Sequence, residues 1–177
     1  LQFVIGKWFE DRSYSIGLQD CVMTGDRSRI TAEVTKCLFE ADHTQRVTHV
    51  AREKKVCGIL SNALNIGLRI AQENIPPCNN FLHTVRSGSK GAMFNLTQIT
   101  GLLGQQIVLG GRPKKVLNHG ARTLPHSPFS FAPEDVNEEF KSQGFIDRGF
   151  GEGLDPRQLF FHAITGREGV TDSALET

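Results

Sequence analysis

Two successive apolar series at helical spacing, stopped by two prolines, constrain the fold of this chain most strongly. The first follows the turn-forming Thr24-Gly25-Asp26; the second begins at Val47 and stops at Pro76-Pro77, because proline cannot continue a helix. Each series gives one apolar stripe, and two such helices bury their stripes most simply against each other as an antiparallel hairpin. The stripes are Ile30, Val34, Cys37, Leu38 and Ala41, and then Val50, Val56, Ile59, Leu60, Ala63, Leu64, Gly67 and Ile70.

Shorter elements are expected on both sides of this hairpin. Residues 3–9 are apolar and aromatic, and residues 14–18 fit a short buried extended segment that ends at Asp20. Asn79 is a good N-cap for a short helix that ends at Ser87-Gly88. That helix would carry Phe81, Leu82 and Val85, and a further helix would run through Phe94, Ile99, Leu102 and Leu103. The predicted fold class is therefore mainly α.

The segment from residue 109 to residue 153 is rich in Gly, Pro and charge and has no sustained period. This composition predicts a long ordered connection, with Arg122–His126 and Gly144–Ile146 as its anchors. A structureless loop of this length is uncommon in an isolated domain and is acceptable where neighbouring parts pin it.

The last helix has the clearest start signal in the chain. Asp155 is predicted as its N-cap, Pro156 as its first residue, and Gln158 closes a capping box. The residues that follow are apolar nearly all round, which predicts burial on several sides of the helix. They are Leu159, Phe160, Phe161, Ala163 and Ile164.

Composition and motif searches exclude several classes of function. A net charge of +1 does not by itself indicate nucleic-acid binding. No apolar run approaches the roughly 20 residues of a membrane span, so no membrane partner is expected. The four cysteines contain no CxxC pair, so neither a zinc site nor a disulfide scaffold is indicated. Patterns of metallohydrolases and serine hydrolases are also absent. No catalytic residue and no metal ligand is predicted.

Several short motifs nevertheless follow one another in a distinctive order. Gly88-Ser89-Lys90-Gly91, Gly104-Gln105-Gln106, Arg122–His126, Phe160–Ala163 and Gly166–Gly169 span about half of the chain. In order and spacing they resemble the largest subunit of the multisubunit DNA-dependent RNA polymerases. The matching region is the pore and funnel of the nucleotide-entry channel and the start of the bridge helix. The resemblance divides the chain into a funnel-like helical region at 1–87, a pore helix with its long connection at 88–153, and the start of the bridge helix at 154–177.

The Gly88–Gly91 loop is the first candidate site that this resemblance supplies. From the residues alone, a plain turn is the more common structure, although glycines before a helix can also cradle phosphate. In the family the lysine of this loop reaches the triphosphate of the entering nucleotide, and Lys90, beside Ser89, is the matching residue.

Four side-chain amides form the second candidate site. Asn95, Gln98, Gln105 and Gln106 lie along or just after the pore helix. Capping and loop pinning are what most such amides do. The resemblance implies instead that they line the pore, with Gln105 and Gln106 facing a pocket where inhibitors of the eukaryotic enzymes bind.

The bridge-helix segment is the third candidate site. A lone histidine such as His162 is more often a satisfied core residue than a ligand. Two glycines each cost a helix about 1 kcal/mol relative to alanine, so the helix either breaks or flexes at Gly166 and Gly169. The resemblance favours flexing as the template advances. The residues concerned are His162, Gly166, Arg167, Glu168, Gly169 and Thr177.

The expected function is therefore that of part of a nucleotidyltransferase, lining the nucleotide path and supporting translocation. Leu1 in place of a methionine, and a last segment without a stop signal, suggest a fragment of a longer protein. The family's Asn-Ala-Asp-Phe-Asp-Gly-Asp magnesium motif is absent from residues 1–177, so no cofactor is expected here, magnesium is expected in the complete enzyme, and the isolated chain is expected to be inactive.

The resemblance also implies partners and a location. Other polymerase subunits, especially the second-largest, DNA template, RNA and nucleoside triphosphates are the expected partners. The divergent Gly110–Lys115 and Ser173–Glu176 segments suggest a large DNA virus, which predicts a cytoplasmic viral factory or a virion; a cellular source would predict the nucleus. The alternative is an autonomous helical interaction domain without an enzymatic role.

Overall fold

The structure, a computed structural model, describes residues 1–22, 25–45, 48–132 and 134–175. These residues are mainly helical, as predicted, with one small antiparallel sheet that pairs Gly104 with Ile146. The helices are α1 (Gln2–Arg12), α2 (Ser28–Asp42), α3 (His49–Asn74), α4 (Asn80–Arg86), α5 (Met93–Thr100), α6 (Val136–Ser142) and α7 (Pro156–Leu175), and the strands are β1 (Gly104–Gln105) and β2 (Phe145–Ile146).

Helices α2 and α3 form the predicted antiparallel hairpin. Arg29, near the start of α2, pairs with Glu73, near the end of α3, at 3.2 Å. At the other end the Arg52 guanidinium donates to the Thr44 carbonyl at 3.1 Å. All five predicted stripe residues of α2 are buried, and they form one core cluster with Val56, Leu60, Ala63 and Ile70 of α3. This interface forms the main core.

One residue of the second stripe is misassigned. Val50 is 78% exposed. At 100° per residue, its separation of six residues from Val56 places Val50 about 120° away from Val56 around the axis of α3. The predicted start at Val47 and the turn residue Thr24 lie outside the described residues.

The pore-helix prediction is right in its position and wrong in its length. Asn79 caps α4 by accepting the Leu82 amide at 2.8 Å, as expected. Helix α5, however, ends at Thr100, because Gly101 leaves the helical conformation with φ −110° and ψ −95°. Leu102 and Leu103 therefore enter the core from an irregular segment rather than from a helix.

The predicted buried segment at residues 14–18 is wrong. Residues 2–12 form a helix with no buried residue, and Tyr14 and Ile16 are more than 40% exposed. Polar contacts pin the segment instead: the Tyr14 hydroxyl binds the Asn80 carbonyl, and the Asn80 side chain donates to the Ser15 carbonyl at 2.7 Å. The segment lies at an edge of the fold, so its apolar side chains have no core to enter.

Within the described residues, the connection from 109 to 153 contains two regular elements, α6 and β2, that its composition did not predict. A helix of seven residues is too short to show a clear period in the sequence. Phe145 and Ile146 are fully buried and anchor the connection to the core. At the other predicted anchor, residues 122–126, the Arg122 guanidinium donates to the Pro125 carbonyl at 2.8 Å.

Helix α7 runs from Pro156 to Leu175 without a break at its glycines. The expected burial on several sides is wrong for this chain, since Leu159 is 55% and Phe160 is 50% exposed. The rest of the described chain covers only one side of the helix, where Gln158 and Phe161 are buried. The other apolar sides face outward.

Candidate functional site

The Gly88–Gly91 loop joins α4 to α5 and is shaped by its two glycines. Both have positive φ, +72° and +73°, which most side chains would strain. The Ser89 hydroxyl donates to the Thr84 carbonyl at 3.1 Å and so folds the loop back on α4. Lys90 is exposed and forms no hydrogen bond or ion pair with any described residue. Its ammonium group is therefore available to an anion from outside this fold.

Two of the four predicted amides, Asn95 and Gln98, lie on α5, one near its start and one near its end. The Asn95 carbonyl oxygen accepts the Ala92 amide at 2.8 Å and closes the first turn, as a capping residue does. Gln98 is partly exposed, and its backbone carbonyl accepts the Phe150 amide at 2.9 Å. The end of α5 is thereby tied to the segment that leads into α7.

The glutamine pair follows α5 on strand β1 and is held by backbone carbonyls. The Gln105 amide nitrogen donates to the Gln143 carbonyl at 2.8 Å. Gln106 is buried, and its amide nitrogen donates to the Gly104 carbonyl at 3.3 Å. These bonds are loop-pinning contacts, and channel lining by the pair stays a prediction.

Gln106 also reaches α7. Because its amide nitrogen is used by Gly104, its oxygen faces His162 and accepts the Nδ1–H at 3.1 Å. The Phe150 ring packs against the same imidazole in an edge-to-face arrangement, with 5.3 Å between the ring centroids. Burial lowers the pKa of His162 below its ordinary value, so the imidazole is held neutral near pH 7. It acts here as a satisfied, partly buried histidine.

The start of α7 has the predicted cap. The Asp155 carboxylate accepts the Gln158 amide at 2.9 Å, and the Gln158 side chain accepts the Asp155 amide at 3.1 Å. This capping box fixes the first turn of the helix against the loop before it.

The second half of α7 makes few contacts with the rest of the described chain. An added Cβ at Gly166 or Gly169 would meet no atom within 4 Å, and Arg167 is exposed. Glu168 is the exception, since both of its carboxylate oxygens accept the Leu109 amide, at 2.9 and 3.1 Å. Thr177 lies outside the described residues.

Sequence reasoning missed the partners of several of these groups. The bond from Leu109 to Glu168 and the ion pair of Arg112 with Glu53 each join residues 59 positions apart. Gly110-Gly111 was a readable turn signal. No local pattern, however, names a partner at such a separation.

No group of three or more His, Cys, Asp or Glu that could hold a metal ion occurs in the described part of the chain. Among the described helices, none is long and apolar enough to cross a membrane.

Comparison with known proteins decides the family. The family model described as RNA polymerase Rpb1, domain 4, matches residues 34–146, from the middle of α2 to β2. The chain belongs to the family of RNA polymerase largest subunits. This membership confirms the resemblance and argues against an autonomous interaction domain.

Relatives from viruses and archaea agree with this assignment. The chain is 40% identical to a probable DNA-directed RNA polymerase II subunit RPB1 homolog of Invertebrate iridescent virus 6, over all of this chain and 18% of the relative. It is 37% identical to a putative DNA-directed RNA polymerase of Frog virus 3, over all of this chain and 14% of the relative. An Rpo1N subunit of Halobacterium salinarum is 39% identical over 71% of this chain and 12% of its own length. The chain thus spans less than a fifth of these polymerase subunits.

Proposed function

We propose that this chain lines the path by which nucleoside triphosphates enter a DNA-directed RNA polymerase, and that α7 supports translocation along the template. Lys90 would meet the triphosphate, and the glycine-containing half of α7 would move as the template advances. The complete enzyme would hold magnesium on residues outside this chain, because the described residues offer no acidic cluster for it.

The rigid connection between the Lys90 loop and α7 is the observation that carries this proposal. Helix α5 follows the loop directly, and its last carbonyls accept the amides of Phe150 and Gly151 at 2.9 and 2.8 Å. The contact is close: a Cβ added at Gly149 would lie 2.6 Å from the Ile99 carbonyl oxygen. The backbone packing therefore links the loop that carries Lys90 to the start of α7, which supports a shared role for the two segments.

The free state of Lys90 supports its assignment. An ammonium group already paired with a carboxylate would gain little from a phosphate, whereas Lys90 is exposed and has no partner in the described residues. Gly88 and Gly91, which flank Ser89 and Lys90 and have positive φ, carry no side chains. A phosphate can therefore approach the backbone at these two positions.

The remaining partners follow from the family. Exposed apolar residues on α7, such as Leu159 and Phe160, offer surfaces for other parts of the polymerase, including its second-largest subunit, and for DNA template and RNA. The two viral relatives favour a viral enzyme, working in a cytoplasmic factory or a virion.

The test is Lys90→Ala in the complete polymerase. Loss of this point charge should raise the apparent Michaelis constant for nucleotides severalfold and leave thermal stability unchanged, since the exposed side chain forms no hydrogen bond or ion pair with a described residue. Lys55→Ala is the matched control, because Lys55 is another exposed lysine without a partner among the described residues. Equal constants for the two variants would contradict the role of Lys90.

A further inference from the structure

Residues 108–111 form a tight hairpin turn beside α7. The Val108 amide donates to the Gly111 carbonyl at 2.8 Å, and the Gly111 amide donates back at 3.2 Å. The two central residues, Leu109 and Gly110, both have positive φ, +50° and +76°, which is the geometry of a two-residue turn of type I′. Such a turn leaves the amide of its first central residue unused.

That unused amide is the group that Glu168 binds. The Leu109 N–H points at both carboxylate oxygens, at 2.9 and 3.1 Å. Hydrogen bonds to a charged acceptor are about twice as strong as neutral ones. The turn is therefore fastened to α7 through one of the two central amides that the turn itself leaves unused.

The other side of the turn is fastened to α3. Arg112, the next residue, forms two hydrogen bonds with the Glu53 carboxylate, at 3.0 and 2.6 Å. Its side chain is only 6% exposed and lies over the Phe140 ring at 5.5 Å. These hydrogen bonds hold the pKa of Glu53 below its ordinary value, which keeps the pair charged near neutral pH.

The contacts along α7 follow one face at three-residue spacing. Gln106 binds His162, the Thr165 hydroxyl donates to the Ile107 carbonyl at 3.3 Å, and Leu109 binds Glu168. The first two contacts precede Gly166 and the third follows it. A bend at Gly166 must therefore either break the Glu168 contact or move the turn with the helix.

We propose that the 108–111 turn is a coupling element between α3 and the part of α7 beyond Gly166, with Glu168 as a positioning residue. Arg112 and Glu53 fix the turn to α3, and the Leu109 amide then holds α7 through Glu168. A displacement of α3 is thereby passed to the half of α7 that bends, and a bend of α7 is resisted by α3. The consequence for translocation rests on the proposed function, whereas the coupling itself does not.

Hydrogen exchange in the complete polymerase tests the coupling without relying on activity. Glu168→Ala should speed exchange of the Leu109 amide by about tenfold or more, the effect of losing one hydrogen bond to a charged acceptor. Asp172→Ala, one turn further along, is the control, because Asp172 is exposed and binds no described residue. Unchanged exchange at Leu109 in Glu168→Ala would overturn the contact.

Glu53→Gln tests transmission from α3. It should speed exchange severalfold in the turn and also in residues 166–175, although Glu53 forms no hydrogen bond or ion pair with the described part of α7. Glu73→Gln is the matched control on the same helix, since Glu73 pairs with Arg29 instead. Exchange in residues 166–175 equal to that of the control would overturn the coupling. An unaltered nucleotide constant in Lys90→Ala would count only against the proposed function, so the two failures are distinguishable.

Discussion

Replacing Gly166 and Gly169 together with alanine tests whether α7 has to bend. Within the described residues a Cβ at either position meets no atom within 4 Å, so neither substitution clashes. Alanine favours helix over glycine by about 1 kcal/mol at each site. The pair should favour the straight helix by about 2 kcal/mol, which is about thirtyfold in an equilibrium between straight and bent forms.

This stabilisation should be local. In the described chain, the part of α7 beyond Gly166 is tied to the rest mainly through Glu168, so its fraying is only weakly coupled to global unfolding. Hydrogen exchange in residues 166–175 should therefore slow by up to about thirtyfold, while the melting temperature changes little. Gly58→Ala is the matched control, because Gly58 is a helical glycine of α3 whose added Cβ also meets nothing within 4 Å.

In the complete polymerase the double variant should still bind template and nucleotide, but it should add nucleotides more slowly and pause longer. Single-nucleotide addition and pause duration are measured beside thermal stability, with Gly58→Ala in parallel. Elongation identical to that of the Gly58→Ala control would refute the idea that α7 has to bend at Gly166 and Gly169. Early unfolding would show that the glycines serve close packing against another part of the enzyme.

Three further predictions concern the chain itself. Gln106→Leu removes the hydrogen bonds to His162 and Gly104, so the free energy of unfolding measured in urea should fall by about 2 kcal/mol. In a His162→Phe background this loss should be smaller by about 1 kcal/mol. Strict additivity of the two substitutions would contradict the pairing of Gln106 with His162. Burial lowers the pKa of His162 from 6.5, so as the pH falls this histidine is protonated in the unfolded chain before it is protonated in the folded one. The free energy of unfolding should therefore fall as the pH drops below about 6.5, and this decrease should level off below the pKa of the folded state. His162→Gln should reduce that slope, and an unchanged slope would refute it. The isolated chain should neither bind magnesium tightly nor extend RNA, since no described cluster of acidic residues could hold the metal; template-dependent addition by the purified chain would contradict this.

Local signals predicted the elements of this fold well. The five-residue stripe of α2, the Asn79 cap and the capping box at Asp155 all depend on residues within one helix or one turn. Such interactions can be read from a sequence because both partners lie a few positions apart. The same reasoning predicted that α3 ends before Pro76-Pro77, and the helix ends at Asn74.

Non-local features could not be read in this way. Apolar Leu102 and Leu103 looked like a continuation of α5, and only the backbone at Gly101 takes them out of the helix. Apolar residues around α7 predicted burial, but this chain supplies a surface for one side only. The contacts of Glu168 and Arg112 depend on a fold that brings together residues 59 positions apart. The order and spacing of the short motifs predicted the family, because together these motifs span about half of the chain rather than a single element.

Photo-crosslinking tests the central claim most directly. A nucleoside triphosphate carrying an aryl azide on its γ-phosphate is bound to the stalled polymerase, irradiated, and its attachment site is mapped by mass spectrometry. The account predicts labelling of the peptide that contains Ser89 and Lys90, suppressed by excess unmodified nucleotide and weakened in Lys90→Ala. Competable labelling confined to other peptides would contradict a nucleotide path along this loop.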